Sequence, residues 1–435
     1  MNPTVLILMG TYLPGFKAGG PIRSIENLVA ALGSEFEFKI VTADRDLGDR
    51  RAYPGIETDR WMQTGQAEVL HVRPGARGLV SIARILAGLD PDTVLYLNSY
   101  FARRFSMFAM LLVRLGLCRP AAVLLAPRGE FSPGALGLKR LRKLLYIRLA
   151  GALRIYRGIL WHASTQFEKA DILHVMPSLS SISVSSVTIA KVLTINQHAG
   201  REPKAELIRT AKDIHRLPAP GAARAHAKQA GELRVVFLSR IAPKKNLLAA
   251  IGMLSGVRGL IRFDIYGPIE DPRYWRECGA AINRLPENIK VNYRGLARPD
   301  QVAQIFAEND LFLFPTLGEN YGHVICEALT AGCPVLISDQ TPWRDLEPQG
   351  VGWDLALGDE SRFRSVLQRS ADAGADWYEA LVSRAARYGR AAASNPAIIE
   401  ENRAMFHDAA AHRRHSAAPL AAGKPSAQPQ EERRV

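Results

Sequence analysis

Short runs of purely apolar residues alternate with longer amphipathic stretches along most of the chain. The first run, residues 5–9, has no polar position, as expected of a strand that is buried on both faces of a parallel sheet. After a glycine-containing loop, apolar residues recur at helical spacing over residues 22–32. Further strands are predicted at 38–42, 68–72, 94–97, 122–126, 235–238, 263–266, 290–293, 311–314 and 335–337. This alternation predicts α/β domains with doubly wound parallel sheets.

The pattern weakens near residue 200 and then resumes, which indicates two domains. We expect a Rossmann-like N-terminal domain over 1–198, a linker over 199–231 and a Rossmann-like C-terminal domain over 232–390. A helix over 391–411 is expected to pack back toward the N-terminal domain, and the polar tail over 412–435 to be disordered. Because ligands bind beyond the carboxyl ends of parallel strands, the predicted site lies in a cleft between the domains.

Composition adds a positive charge to this picture. The 435 residues include 56 Lys and Arg but 42 Asp and Glu, and the resulting formal net charge of +14 implies an anionic partner. The sequence lacks an apolar run of about 18 residues and a signal-peptide pattern, and its four cysteines lack the spacing of metal ligands. We therefore expect no metal site and a location in the reducing cytoplasm.

The positive charge is concentrated over residues 103–157, where Glu130 is the single acidic residue. Within this segment, residues 139–148 interleave leucines with cations at near-helical spacing. One interpretation is an interfacial helix on an anionic membrane, and the other is a helix packed on its own sheet with a solvated basic face. Nucleic acid is not an expected partner, because aromatic residues that stack on bases are not interleaved with the cations.

The sharpest chemical signal follows the strand predicted at 311–314. A glycine-containing turn leads to a helix that begins near Gly322, and Glu319 and Glu327 lie eight residues apart around its start. The free N–H groups at the start of a helix favour an anion, and paired carboxylates can accept hydrogen bonds from sugar hydroxyls. By themselves, the two glutamates favour a structural interpretation, with Glu319 as a helix cap and Glu327 as a solvated helix residue.

Two further segments are typical of a phosphate site. The strand predicted at 235–238 is followed by Arg240 and Lys245, whose guanidinium fork and ammonium suit a diphosphate, although an ordinary basic loop has the same residues. Near the start of the chain, Gly19 and Gly20 precede a helix and permit close approach of a ligand to the backbone. This loop matches neither a P-loop nor the dinucleotide-binding spacing.

Together, these segments resemble the retaining, nucleotide-sugar-dependent glycosyltransferases of family 4, which have the GT-B fold. The two glutamates are similar to the E-x7-E motif of that family, with Tyr321-Gly322 in place of its usual Phe-Gly. The two cations are similar to its G-R-L-x-x-x-K element, with Ser239 in place of glycine, and Ala18-Gly19-Gly20 to its N-terminal glycine loop. The resemblance implies two Rossmann-like domains that face each other across a cleft.

The resemblance also implies a role for each residue. Arg240 and Lys245 would hold the donor diphosphate and stabilise the leaving nucleotide, while Glu319 would contact the hydroxyls of the transferred sugar. Glu327 would contact the ribose of the donor, and Leu296 would contact the base. The backbone at Asn320, Tyr321 and Gly322 would contact the sugar or a phosphate. Gly19 and Gly20 would contact the diphosphate from the other domain. The donor would be a UDP- or GDP-linked sugar, and no metal or other cofactor would be needed, because cations and a helix dipole stabilise the leaving group.

The chain departs from the family in its N-terminal domain. Many relatives place a histidine near the reacting centre, whereas this chain has Arg128 and Glu130 after the strand at 122–126. These two residues are expected either to contact the acceptor or sugar, or to form a structural ion pair. His162 lies close to a position where the family often has a serine, and we interpret it as structural.

The function expected from this resemblance is retaining transfer of a sugar to a saccharide or lipid-linked saccharide acceptor, in polysaccharide or cell-surface glycan synthesis. The protein would be cytoplasmic or peripheral on the inner face of the plasma membrane. The alternatives are a nonhydrolysing GT-B sugar-nucleotide epimerase and a non-catalytic sugar-nucleotide-binding protein on the same fold.

Overall fold

Two sheets of mainly parallel strands, each covered by helices, form the body of the protein. The computed structural model describes residues 2–137, 139–176, 207–215 and 226–416. The central strands are almost completely buried because helices cover both faces of each sheet, which is why they are continuous apolar runs. The predicted α/β fold with two doubly wound sheets is confirmed.

The first sheet has eight strands in the order β3-β4-β2-β1-β5-β6-β7-β8, and β3 pairs antiparallel with β4. Its strands are β1 (Thr4–Met9), β2 (Glu37–Ala43), β3 (Trp61–Thr64), β4 (Ala67–Val72), β5 (Val94–Asn98), β6 (Ala122–Ala126), β7 (Leu160–Ala163) and β8 (Ile208–Thr210). The helices of this domain are α1 (Gly20–Leu32), α2 (Ala76–Ala87), α3 (Phe108–Arg114, after a π-helical turn at Arg103–Met107), α4 (Pro133–Gly137), α5 (Arg140–Ala152) and α6 (Gln166–Val175). The strand order reverses at β1, so the carboxyl end of β1 faces a crevice.

The second sheet has six parallel strands in the order β11-β10-β9-β12-β13-β14. They are β9 (Glu232–Leu238), β10 (Leu260–Tyr266), β11 (Ile289–Gly295), β12 (Leu311–Phe314), β13 (Val335–Ser338) and β14 (Gly352–Leu355). The helices are α7 (Leu247–Leu254), α8 (Pro272–Ile282), α9 (Val302–Ala307), α10 (His323–Thr330), α11 (Leu346–Gln349), α12 (Glu360–Asp372) and α13 (Ala375–Ala393). Here the order reverses between β9 and β12, which places the segments after these strands at a binding crevice.

The chain departs from the predicted boundaries between these domains. The predicted linker contains β8, which pairs with β7 and completes the first sheet. A strand of three residues is too short to show a period, and its buried Ile208 is its main apolar signal. Two parts of that linker, 199–206 and 216–225, lie outside the described residues.

The last helix, α14 (Pro396–Ser416), lies against the N-terminal sheet. Its Phe406 packs on Phe36 and Tyr96, with ring centroids 5.5 and 5.6 Å apart, and Arg403 donates to Glu35 across 2.6 Å. The helix enters the tail predicted to be disordered, and residues 417–435 lie outside the described part. Within the described ranges, no helix has both the length and the apolar character needed to cross a membrane.

Candidate functional site

The carboxyl ends of both sheets face one cleft with a volume of about 500 Å³. The first domain contributes the loop between β1 and α1, and the second contributes the segments that follow β9 and β12. The sequence-predicted residues that line the cleft are Gly19, Gly20, Arg128, Arg240, Lys245, Glu319, Asn320, Tyr321, Gly322 and Glu327. Of the predicted site residues, Glu130 and Leu296 lie outside this lining.

Cations cluster where β9 ends. Arg240 donates to Glu270 across 2.6 Å at the rim, where 33% of the Arg240 side chain is exposed. Lys245 forms an ion pair with Glu319 inside the cleft. Burial, reinforced by the adjacent Lys245, lowers the pKa of Lys244 to about 8. The carboxylates nearby balance only part of this positive charge. Such a group of cations attracts a polyanion.

The two glutamates of the second domain lie around the start of α10. Burial opposes the ionisation of Glu319, but Lys245 and Lys244 outweigh it and hold its pKa below the ordinary value. Burial raises the pKa of Glu327, which Arg23 of α1 approaches at 3.9 Å from the other domain. Glu319 is therefore the more strongly stabilised carboxylate. Throughout the described ranges, no group of three or more His, Cys, Asp or Glu side chains is arranged to hold a metal ion.

Two glycines shape the backbone around the cleft. Gly322 precedes α10 with φ +80°, and a Cβ on it would lie 2.9 Å from Ile325 Cδ1. Gly19 precedes α1 with φ +68° and no side-chain cap, and no heavy atom lies within 4 Å of its ideal Cβ position. Neither helix start is capped by a side chain, and the positive end of a helix dipole favours an anion.

A buried polar cluster joins the two domains beside the cleft. Arg128 donates to Asp213 across 2.6 Å, and Ser24 Oγ donates to the other carboxylate oxygen across 2.9 Å. His323, the first residue of α10, has one ring nitrogen 3.0 Å from Ser24 Oγ and the other 3.3 Å from His215 Nδ1. Burial opposes the ionisation of Asp213, but Arg128 outweighs it and holds the pKa far below the ordinary value. The cluster therefore contains a charged, buried ion pair.

The sequence analysis missed most of this cluster. Asp213 lies in the segment predicted to be a linker, and no motif marks it. Ser24 is one polar position within an amphipathic helix, where a buried hydroxyl has no sequence signal. His323 directly follows Gly322, so its position at the start of a predicted helix was the one available signal.

The structure corrects the interpretation of Arg128 and Glu130, which do not pair with each other. Glu130 accepts hydrogen bonds from Ser99 Oγ and from the backbone N–H groups of Tyr100 and Phe101, at 2.7, 2.6 and 3.1 Å. It therefore holds the loop after β5, away from the cleft. Arg128 does line the cleft, but its partner is the carboxylate of Asp213.

Leu296 also lies outside the cleft lining, with 41% of its surface exposed. The chain turns at Gly295, where φ is +76°, and residues 297–300 line the cleft instead. His162 is buried, and its ring nitrogens lie 2.6 Å from the Tyr96 hydroxyl and 2.8 Å from the Ala211 carbonyl. These contacts agree with a structural role for His162.

Sequence comparisons match parts of this chain to glycosyltransferases. Residues 232–368 match the family model described as Glycosyl transferases group 1. The serotype-specific mannosyltransferase WbdA of Escherichia coli is 23% identical over 231 residues, which cover 49% of this chain and 26% of WbdA. The chain therefore spans about a quarter of the length of the curated relatives that it matches.

Solved structures share the fold over nearly the whole chain. Sucrose-phosphate synthase from Thermosynechococcus elongatus covers 94% of this chain and 99% of its own, with a TM-score of 0.64 and 15% identity. Anabaena HepE in complex with UDP-glucose covers 93% of this chain and 99% of its own, with a TM-score of 0.62 and 15% identity. The chain therefore has the GT-B fold of these structures, and its residues 232–368 match the Glycosyl transferases group 1 model.

Proposed function

We propose that the protein is a retaining glycosyltransferase of family 4, which moves a sugar from a UDP- or GDP-linked donor to a saccharide or lipid-linked saccharide. The observation that carries this proposal is the meeting of Arg240, Lys245 and Glu319 in one cleft with the glycine loop of the other domain. HepE has been solved with UDP-glucose and WbdA is a mannosyltransferase, which supports a nucleotide-sugar donor and a role in polysaccharide synthesis.

The cations would act on the diphosphate of the donor. An ammonium has three donors, so Lys245 can keep its bond to Glu319 and also donate to a phosphate oxygen. Arg240 is half of an exposed ion pair, and a diphosphate is a stronger partner for its guanidinium fork than Glu270. Both residues would stabilise the negative charge that develops on the leaving nucleotide, so no metal is required in this mechanism.

The remaining predicted residues would orient the donor. Glu319 would accept hydrogen bonds from the transferred sugar, and Glu327 from the ribose. The backbone at Asn320, Tyr321 and Gly322, together with Gly19 and Gly20 of the opposite domain, would contact sugar and diphosphate. We assign no nucleophile, because a same-face displacement assisted by the leaving phosphate gives retention.

Incubation with a panel of UDP- and GDP-linked sugars tests this function. A transferase releases free nucleotide and places the sugar on an added acceptor with the anomeric configuration of the donor, as read by NMR. An epimerase converts one nucleotide sugar into another, and a binding protein leaves the donor intact, so either result contradicts the proposal. Addition of EDTA should leave turnover unchanged.

The same proposal includes attachment to an anionic membrane through α5, at the cytoplasmic side. Leu141, Leu145 and Leu149 are 85%, 70% and 54% exposed along one face of this helix, next to Arg142 and Arg148. Exposed leucines among cations suit an interface, because each buried leucine gains up to about 1.5–3 kcal/mol and each cation about 1 kcal/mol.

Liposome co-sedimentation measures this attachment. We expect binding to vesicles with anionic lipid that falls as salt rises, and weak binding to neutral vesicles. A variant in which Leu141, Leu145 and Leu149 are all replaced by Ser should remain in the supernatant. Equal sedimentation of this variant, or none of the wild type at low salt, would leave α5 as a solvated helix.

A further inference from the structure

The loop between β1 and α1 (residues 10–19) forms part of the cleft wall, and a neighbouring segment of the first domain supports it. Within the loop, Gly15 N–H donates to the Tyr12 carbonyl across 2.9 Å, and Gly19 N–H donates to the Phe16 carbonyl across 3.0 Å. The N–H groups of Phe16 and Lys17 instead donate outside the loop. Their acceptor belongs to the connection between β2 and β3 (residues 44–60).

Asp46 is the acceptor for both N–H groups. Its Oδ2 accepts from Phe16 at 2.9 Å and from Lys17 at 3.2 Å, while its Oδ1 accepts from Leu47 N–H at 2.7 Å. Asp46 is only 6% exposed, so water has little access to these bonds. Because a carboxylate is a charged acceptor, these bonds are stronger than bonds between neutral groups.

The loop and the connection are in close contact at Gly15. A Cβ on Gly15 would overlap the Tyr53 hydroxyl and lie 3.0 Å from Asp46 Cγ, so only glycine leaves room for this contact. Two positions earlier, the Leu13 carbonyl lies 3.1 Å from His71 Nε2 of β4. The loop is therefore held by side chains from β4 and from the connection between β2 and β3.

The same connection holds the single cation of the loop away from the cleft. Lys17 Nζ forms an ion pair with Asp49 at 2.6 Å. Lys17 does not line the cleft, whereas Phe16 and Ala18 on either side of it do. The loop therefore offers an anion in the cleft its backbone rather than an ammonium group. A backbone site depends on its φ and ψ angles, so it needs support from the residues that surround it.

We propose that Asp46 is a positioning residue for the transfer reaction, which fixes the loop so that Gly19 and Gly20 can contact the donor diphosphate. The Phe16 carbonyl that accepts from Gly19 connects the residues that Asp46 holds to these glycines. The inference rests on the proposed function, in which the two glycines contact the diphosphate. Asp46 itself does not line the cleft, so it acts through the loop.

Calorimetric titration of the full chain with matched nucleotides tests this role. The probes are UDP with UMP and GDP with GMP, because the members of each pair differ only by the terminal phosphate. Wild type should prefer the diphosphate in the pair that it binds better. Asp46→Ala should lower this preference by about three- to tenfold, the range of one net hydrogen bond, without a change in affinity for the monophosphate. Asp46→Asn can still direct one oxygen at the loop, so it should lower the preference less.

Asp49→Ala is the matched control, because it removes a carboxylate from the same connection but frees only the ammonium of Lys17. This variant should not lower the diphosphate preference. An equal loss in Asp49→Ala and Asp46→Ala would overturn the positioning role. An unchanged preference in Asp46→Ala, or a wild type without any preference, would overturn it as well.

Hydrogen exchange, measured by mass spectrometry on peptides that span the loop, follows the loop independently of activity. The Phe16 and Lys17 amides should exchange about tenfold or more faster in Asp46→Ala, since each loses a bond to a charged group. Strand β6 should keep its protection, and its loss would show that Asp46 stabilises the whole domain and overturn the proposal. Failure of the proposed transferase function would appear separately, as absence of nucleotide release from every donor, while exchange at Phe16 and Lys17 would still report their contact with Asp46.

Discussion

The buried ion pair between Arg128 and Asp213 gives a stringent test of what holds the first domain together beside the cleft. Asp213→Asn keeps the shape of the side chain but removes the negative charge that faces the guanidinium at 2.6 Å. Arg128 would keep neutral acceptors, the Asn98 and Ser164 side chains and the Tyr96 hydroxyl, at 2.7, 3.1 and 2.9 Å. The guanidinium would thus stay hydrogen-bonded but lose its paired carboxylate, and Glu168 would remain as a more distant negative charge.

The expected cost follows from burial. The Arg128 and Asp213 side chains are 6% and 5% exposed, so water cannot replace the lost carboxylate. Removing one partner of a buried pair costs about 3–5 kcal/mol, and the neutral acceptors that remain favour the lower end of this range. For a domain of about 200 residues, a loss of about 3 kcal/mol lowers Tm by about 6–12 °C.

Urea and thermal denaturation followed by circular dichroism would measure this loss. Asp408→Asn is the matched control, because Asp408 pairs with Arg209 at 2.9 Å but is 53% exposed, and its loss should cost about 0–1 kcal/mol. The reasoning is refuted if Asp213→Asn is no less stable than the Asp408→Asn protein.

Three further perturbations have defined outcomes. Lys245→Ala should lower the rate of nucleotide release by about 10²–10³ fold, because it removes one charge stabiliser, and a rate equal to wild type at a temperature where the variant is folded would exclude that role. Burial and the nearby Arg128 lower the pKa of His162 to about 4. Between about pH 6.5 and 4, the unfolded state therefore binds one more proton than the folded state. The free energy of unfolding should fall by up to about 1.4 kcal/mol per pH unit as the pH drops through this window. His162→Gln should reduce that slope in urea titrations, and a slope equal to that of wild type would contradict this account. Glu130→Ala should destabilise the first domain by about 1–3 kcal/mol, since it leaves buried backbone donors without an acceptor, yet it should leave nucleotide affinity intact.

The sequence alone determined the architecture and the residues that the second domain brings to the cleft. Apolar runs and helical periods depend on local burial, so they located the central strands of both sheets to within a few residues. They did not reveal the strands β3, β7, β8 and β14, which have only three or four residues each. Residues that directly follow a strand meet at the carboxyl edge of a parallel sheet, and this is why Arg240, Lys245 and Glu319 were found together. The glycine loop after β1 follows from the same rule in the first domain.

The tertiary structure alone decided the contacts made across the cleft and the choice of partners. Ser24 lies 189 residues from Asp213 and 299 from His323, and no local pattern links such positions. Arg128 and Glu130 are only two positions apart, but the fold gives them different partners: Glu130 accepts from the loop after β5, and Arg128 pairs with Asp213 after β8. The period of α5 likewise could not tell a packed face from an exposed one, since leucine suits both, and only the packing of the domain leaves Leu141 and Leu145 on the surface.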